Sequence, residues 1–479
     1  MRKIYESAKT VLLWLGPDTE EHQAKVAIDS IRTISDFLCQ RLGISVSEPV
    51  SLNDTYQEIV LRNRDRLPLP NECEFSTDAM WKSLIWFYSH PYFTRVWVIQ
   101  EIGANKNRVL HCGHETVEWN RVDLVACYII MERSFAKSFG FTGTYCWWAA
   151  TVAEIIRQPT YWLFMLYLAS NFSCLDARDV IYGLRGFMKF SDRAGLLDPD
   201  YSKPTIEVYR DSVEAALVNF QNTDVLLYVT GNEDPSWIPR WDRPMLFRNP
   251  FRFGRAVPWK PAGETKPIWS IDKKLDVLSL SGYAVDPIKF AESYNESFFS
   301  NDTIDSDEGR DTLKQAWQRI LKTVENSQSQ MPFSTGILTA AAISFSFGLN
   351  HKIDPAEERH LLHNFIAYLK IALDEETYNK YIPPDLSEES KHGDGHAFGK
   401  PVWDFKYPES SFFITESRLI GCAISTTRPG DIVCVALGST YPFVLRPNGD
   451  HFAIRGYAYV YGIMQGERQD SERQVFKIR

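Results

Sequence analysis

The residues best suited to chemistry lie in one short run, Arg95-Val-Trp-Val-Ile-Gln-Glu101, in which polar side chains interrupt an apolar sequence. Trp97 and Glu101 share a face whether this run is a helix or a strand, because their spacing fits both periods. A carboxylate beside an indole in apolar surroundings must be paired or have a raised pKa. Two interpretations follow: a buried ion pair between Arg95 and Glu101 that fixes the packing, or a poised acid in a cleft.

The histidines and cysteines do not indicate a metal site. His111-Cys-Gly-His114 crowds its metal-binding side chains together, whereas a closed zinc site usually draws on two separated pairs. The 8 cysteines show no CxxC spacing, so we expect buried thiols rather than disulfides or a zinc ribbon. A P-loop and the dinucleotide-binding GxGxxG pattern are also missing from the sequence. The sequence therefore predicts no metal and no bound cofactor.

The overall charge argues against polyanionic partners. Lys and Arg number 52 against 61 Asp and Glu, a formal charge of -9. The segment 247–255 alternates basic and aromatic residues, a pattern that suits base stacking or arginines packed on rings within the protein. No apolar run reaches the roughly 18 residues that a bilayer requires, and the first residues do not begin a secretory signal. We expect a cytoplasmic protein with no nucleic-acid partner and no membrane span.

An α/β domain at the start of the chain is predicted to position the run that ends at Glu101. Residues 10–15 form a short apolar segment followed by a turn, which is typical of a buried strand. Apolar residues at helical steps predict a helix over 24–42, and residues 78–88 predict another. A second strand is predicted over 108–111. This order of strand, helix, helix and strand is typical of an α/β layered domain.

Two further regions follow in the chain. Helical periods dominate residues 122–270, which end in a loop rich in Trp and Pro. Residues 271–479 are predicted to be α+β, with amphipathic helices followed by a polar linker over 378–410. From residue 411, short strands alternate with turns, which favours a small antiparallel barrel or sandwich. The predicted domains are therefore residues 1–121, 122–270 and 271–479.

The run from Arg95 to Glu101, followed by a strand and Gly113, resembles the second half of the fungal heterokaryon incompatibility (HET) domain, whose pattern there is R-x-W-x-x-Q-E. The elements Ile4-Tyr5-x-x-Ala8 and Trp14-Leu-Gly16 are similar to an earlier part of that domain. Segments that resemble common companions of the domain follow at residues 176–184, 199–202, 235–239, 428–434, 442–446 and 456–467. The family's S-Y-x-W-G and C-I-N-Q strands have no counterpart here, so we expect a partial HET domain that lacks its N-terminal half.

The resemblance implies a Toll/interleukin receptor-like α/β fold for this domain and a fungal protein of nonself recognition and programmed cell death. Three functions are compatible with it. The chain is a signalling module with protein partners, including homotypic HET-domain association, or an enzyme that cleaves NAD with Glu101 as its catalytic carboxylate, or an inactive truncated remnant. Any HET activity is expected to depend on the family-motif residues: Glu101, Arg95, Trp97, Gln100, Trp14, Gly16 and Gly113.

Overall fold

The computed structural model describes residues 2–18, 22–46, 55–149, 152, 161–229, 231–245, 258–294, 296–299, 301–327, 331, 333–348, 355–398, 410–424, 426–468 and 471–479. The basic and aromatic segment 247–255 lies outside these residues. The chain forms two compact units and mixes helices with strands, an α+β composition. The first unit comprises Met1–Ser191, Leu197–Thr205 and Trp241–Pro244, and the second comprises Asp192–Leu196, Ile206–Arg240 and Met245–Arg479.

A three-stranded sheet lies in the first unit. Strand β1 (Val11–Gly16) pairs in parallel with β2 (Arg108–Cys112), and β2 pairs in antiparallel fashion with β3 (Glu115–Glu118). The two strands predicted from the sequence are thus confirmed. Because β1 is the first strand in the order β1-β2-β3, it has a strand partner on one side only among the described residues.

The helices of the first unit include both of those predicted from apolar periodicity. They are α1 (Arg2–Ser7), α2 (Gln23–Leu42), α3 (Tyr56–Arg62), α4 (Asp78–Tyr88), α5 (Val96–Gly103), α6 (Trp119–Met131), α7 (Arg133–Ser138), α8 (Trp162–Ala169) and α9 (Asp179–Tyr182). In α2, the apolar side chains at helical steps, such as Ile28, Ile31 and Ile34, are fully buried. The helix therefore forms because one of its faces packs into the core.

Strand β1 is buried on one face only, which corrects the expectation of a buried strand. Leu13 and Leu15 point into the core, whereas Leu12 and Trp14 are 67% and 56% exposed. Successive side chains of a strand point to opposite faces, so the exposed residues share one face of the sheet. This edge strand therefore presents two large apolar side chains to solvent.

A barrel forms the β part of the second unit. The eight strands of its sheet are β4 (Trp269–Asp272), β5 (Val277–Tyr294), β6 (Ser410–Thr415), β7 (Ile420–Ala423), β8 (Ile432–Ala436), β9 (Phe443–Asn448), β10 (His451–Val460) and β11 (Arg473–Ile478). Antiparallel pairing runs through β10, β7, β6, β5, β8 and β9 and returns from β9 to β10, which closes the barrel. Of the two architectures predicted for the β-rich part, the structure forms the barrel.

A helical insertion separates β5 from β6. Its helices are α11 (Asn301–Asp305), α12 (Asp307–Ser327), α13 (Thr335–Phe345), α14 (Pro355–Ala372), α15 (Glu375–Tyr381) and α16 (Pro384–Glu389), whereas α10 (Thr205–Phe220) precedes β4. The predicted polar linker over 378–410 is wrong in its first part, since α15 and α16 occupy it. Pro384 takes the first position of α16, where a missing N–H group costs no hydrogen bond.

Aromatic rings fill the core of this helical insertion. The ring of Trp317 lies 5.0 Å from that of Phe298 and 5.2 Å from that of Phe345. Its indole N–H also donates to the Tyr368 hydroxyl at 3.0 Å, so the buried polar atom is satisfied. Throughout the described part of the chain, no helix combines the length and the apolar character needed to cross a membrane.

Candidate functional site

The run that ends at Glu101 is helical. The 3-10 turn Pro91–Thr94 leads into Arg95, which is extended and bridges to Ser173, and α5 begins at Val96. The Val96 N–H donates to the Ser173 carbonyl at 3.0 Å, and the Ser173 N–H donates to the Thr94 carbonyl at 2.5 Å. These backbone bonds anchor the start of the helix, since its first N–H groups have no partner within it.

Glu101 is hydrogen-bonded to a tyrosine rather than paired with Arg95. The Tyr92 hydroxyl donates to the Glu101 carboxylate, which is half-buried. Arg95 is exposed, and its guanidinium lies 5.9 Å from the centre of the Tyr92 ring. Among the described residues, Arg95 and Glu101 form no ion pair, so the buried pair considered from the sequence is wrong. The carboxylate instead sits between a phenol and the protein surface.

The charge of Glu101 also acts on a second phenol, that of Tyr5. Burial raises the pKa of Tyr5, on α1, and the Glu101 charge raises it further. Burial and the same carboxylate raise the pKa of Tyr92 above its usual range. Asn105 holds α1 in place by donating to the Tyr5 and Ala8 carbonyls at 2.8 and 2.7 Å. This arrangement can orient a hydroxyl group or accept a proton at the edge of α5.

Trp97 and Gln100 connect α5 to α9 instead of joining Glu101. The Trp97 indole N–H donates to the Asp179 carboxylate at 3.2 Å, and that carboxylate also accepts from the Tyr201 hydroxyl at 2.6 Å. The Gln100 side chain is 2% exposed and donates to the Gly183 carbonyl. The four polar and aromatic residues of the motif therefore fall into two pairs. Glu101 and Arg95 contact Tyr92, whereas Trp97 and Gln100 hold the helix against residues 179–183.

We expect Gln100→Met to lower the free energy of unfolding by about 1–3 kcal/mol, because the buried Gly183 carbonyl then loses its hydrogen bond. The side chains have similar volumes, so packing is largely kept. Denaturant unfolding of the full chain would measure the effect. The exposed Lys106→Met is the matched control and should change stability by less than about 0.5 kcal/mol. Equal effects of the two substitutions would contradict a structural role for Gln100.

The remaining motif residues shape the strand ends. The Gly113 N–H donates to the Gly16 carbonyl at 2.9 Å, which joins the ends of β1 and β2. Gly113 has φ 58°, and a Cβ atom there would lie 3.0 Å from the Asp18 Cβ, so a side chain would be strained and crowded. Trp14 makes no hydrogen bond or ring contact with α5 among the described residues. These three residues lie on the sheet rather than around Glu101.

No metal site is formed by the described residues. They contain no group of three or more His, Cys, Asp or Glu side chains that could hold an ion. His111 and Cys112 are on β2, where alternation sends their side chains to opposite faces. Burial raises the pKa of Cys112 to about 11, so it remains a protonated thiol.

Sequence reasoning missed a partly buried acid, Asp123, on α6. Burial raises the pKa of Asp123 to about 6, and the carboxylate accepts a hydrogen bond from the Tyr145 hydroxyl at 2.9 Å. Arg108 lies close enough to lower that pKa, and its Nε atom is buried without a hydrogen-bond acceptor among the described residues. The Tyr56 hydroxyl is also buried without a partner among those residues. The sequence signal that could have indicated this acid is that Asp123 is the single carboxylate in an otherwise largely apolar helix.

Comparisons with known proteins agree with the motif. Residues 1–101 match the family model of the heterokaryon incompatibility protein (HET), and residues 405–477 match that of the Het-6 beta-barrel domain. Heterokaryon incompatibility protein 6, OR allele, of Neurospora crassa is 23% identical, over 100% of this chain and 79% of the relative. No solved structure matches the chain. These matches show that the chain carries a HET domain over residues 1–101 and a Het-6 beta-barrel domain over residues 405–477, and that it is similar to a heterokaryon incompatibility protein.

Proposed function

We propose that the chain is a cytoplasmic signalling module in fungal nonself recognition that triggers programmed cell death. The match to the HET family over residues 1–101 carries this proposal. The structure supports it through α5, whose motif side chains are held by α9 and by Tyr92. Because α5 is held by contacts on two of its faces, its exposed surface keeps one conformation, which suits a module that recognises partners.

We also infer that the first unit is related in fold to Toll/interleukin receptor domains. Its two parallel strands, β1 and β2, support this inference, because parallel neighbours require a crossover connection that usually contains helices. Helices α2 to α5 lie in that connection.

The edge strand supports homotypic association. β1 has a strand partner on one side only among the described residues, and it exposes Leu12 and Trp14. An unpaired strand edge with exposed apolar side chains readily pairs with another strand. A second copy of the chain offers the same edge, so two copies can pair through an isologous contact.

An experiment in a filamentous fungus tests the module. The full chain is expressed as wild type and as the double variant Leu12→Lys and Trp14→Lys, with Leu275→Lys as a control because that leucine is exposed in the second unit. We expect the double variant to lose pull-down between two differently tagged copies and to reduce the dead-cell fraction at least about tenfold. Killing and association that persist in the double variant would contradict homotypic pairing through β1.

NAD cleavage is a second candidate because Glu101 is half-buried beside a phenol donor. A carboxylate there would stabilise the positive charge that develops at the ribose when the nicotinamide bond breaks. The test is the NAD content of a solution of the purified chain, compared between wild type and Glu101→Gln. Loss of NAD that Glu101→Gln abolishes supports the enzyme. Killing without NAD loss supports the module, and the absence of both activities supports an inactive remnant.

A further inference from the structure

An arginine cluster surrounds one buried carboxylate at the barrel. Asp431, just before β8, is 1% exposed. Arg446 on β9 donates to both of its oxygens, from Nε and Nη2, at 2.8 Å each. The main-chain N–H of Arg428 donates to Oδ2 at 2.9 Å. The carboxylate is therefore held by a bidentate guanidinium and by the turn that begins at Arg428.

Two more guanidinium groups lie beside this pair. The Arg428 side chain is 64% exposed, and its Nε atom is 4.0 Å from Asp431 Oδ1, beyond hydrogen-bond range. Arg455 on β10 donates to the Gly231 carbonyl and, at 2.8 Å, to Asn232 Oδ1. Burial lowers the pKa of Arg455, and the nearby charges of Arg446 and Arg428 lower it further.

The strand register explains why these residues meet. Arg446 pairs with Ala453 across β9 and β10, and a bulge between Ile454 and Gly456 follows. A bulge redirects the side chain of the extra residue, here Arg455, and bends its strand. The sequence thus places a basic side chain at an irregular position beside a second basic side chain, although like charges repel.

The charges of this cluster do not balance. Among the described residues, the charge of Asp431 raises the pKa of Arg455, whereas the charges of Arg446 and Arg428 lower it. Arg446 is the guanidinium that is hydrogen-bonded to Asp431, and the charges of Arg428 and Arg455 lie near this pair, so positive charge exceeds negative charge by two among these four described residues. The Arg428 guanidinium and Arg446 Nη1 have no hydrogen-bond acceptor in the described part of the chain, and the buried Arg455 Nε has none either. Free donors and excess positive charge at one place fit an anion.

We propose that Arg428 and Arg446, with the charge of Arg455 behind them, bind the phosphate group of a small ligand. A dianionic phosphate would balance the two excess positive charges and accept hydrogen bonds from the planar guanidinium of Arg428. The site belongs to the second unit, whereas α5 belongs to the first, and its test does not depend on the signalling function. Free phosphate and phosphate monoesters share this chemistry.

Thermal unfolding of the full chain tests the site. Inorganic phosphate is added at constant ionic strength, with chloride as the replacement salt, and the Tm is followed. A ligand that binds the folded state raises the Tm in a saturable way. We expect Arg428→Gln to weaken the apparent phosphate affinity about tenfold or more, because a charged hydrogen-bond donor is lost. The exposed Arg310→Gln, on α12, is the matched control and should leave the affinity unchanged.

The ligand series separates the sources and allows the proposal to fail. A nucleoside monophosphate that protects at lower concentration than inorganic phosphate identifies a phosphate monoester, and equal protection identifies the phosphate group alone. Equal protection by acetate would overturn the assignment to phosphate. Protection that is absent in the wild type, or the same in Arg428→Gln, would overturn the site. The Arg428 side chain makes no hydrogen bond within the described residues, so its replacement should not unfold the barrel.

Discussion

Asp431→Ala is expected to lower the free energy of unfolding of the second unit by about 3–5 kcal/mol. The carboxylate is almost fully buried, and it accepts two hydrogen bonds from Arg446 and one from the main chain of Arg428. Removing it leaves the Arg446 guanidinium without its ion-pair partner. The loss therefore includes the cost of an uncompensated buried charge, which exceeds the value of the hydrogen bonds alone.

Denaturant unfolding, followed by tryptophan fluorescence, would measure this loss. Asp450→Ala is the control, because Asp450 is 87% exposed beside His451, and it should cost less than about 0.5 kcal/mol. Adding Arg446→Met to Asp431→Ala should recover part of the stability, since both charges of the pair are then absent. A loss below about 1 kcal/mol for Asp431→Ala would mean that water replaces the carboxylate at little cost. The arginine cluster would then be accessible to water, which would contradict the burial of Asp431.

The motif at α5 illustrates what sequence could and could not predict. The spacing of Trp97 and Glu101 fits both a helix and a strand, so the sequence left the secondary structure of this run undecided. The deciding contacts come from Ser173, Asp179 and Gly183, far along the chain. A pattern within a short window contains no information on such partners, so neither the helix nor the tie to α9 was predictable.

The barrel illustrates the same limit for strands. In this part of the chain, the alternation of residues 275–280 predicts a strand that ends before Gly282, because Gly282 and Pro287 ordinarily interrupt strands. In the structure β5 continues to Tyr294 and pairs with β8 and then with β6, with a bulge beside each change of register. A Cβ at Gly282 would lie 2.4 Å from the Val435 carbonyl oxygen, so the glycine permits close approach rather than ending the strand.

Asp123 gives the second large effect, a dependence of stability on pH. Burial raises the pKa of its carboxyl to about 6 in the folded protein, against 3.8 in the unfolded chain. The folded state therefore holds a proton more tightly than the unfolded state. The resulting stabilisation is fully present below the unfolded value and is lost as pH rises through about 6. A shift of this size corresponds to about 3 kcal/mol.

Asp123→Asn removes this titration and keeps the shape of the side chain. We expect the unfolding free energy of the wild type to fall by about 3 kcal/mol, relative to that of Asp123→Asn, between about pH 4 and pH 7. Tyr145→Phe removes the hydroxyl that donates to the carboxylate, so it should move the inflection of the wild-type curve to higher pH. Parallel curves for the wild type and Asp123→Asn would mean that the carboxylate is hydrated in the folded state. The Tyr56 hydroxyl, which has no hydrogen-bond partner among the described residues, would then face water that reaches α6.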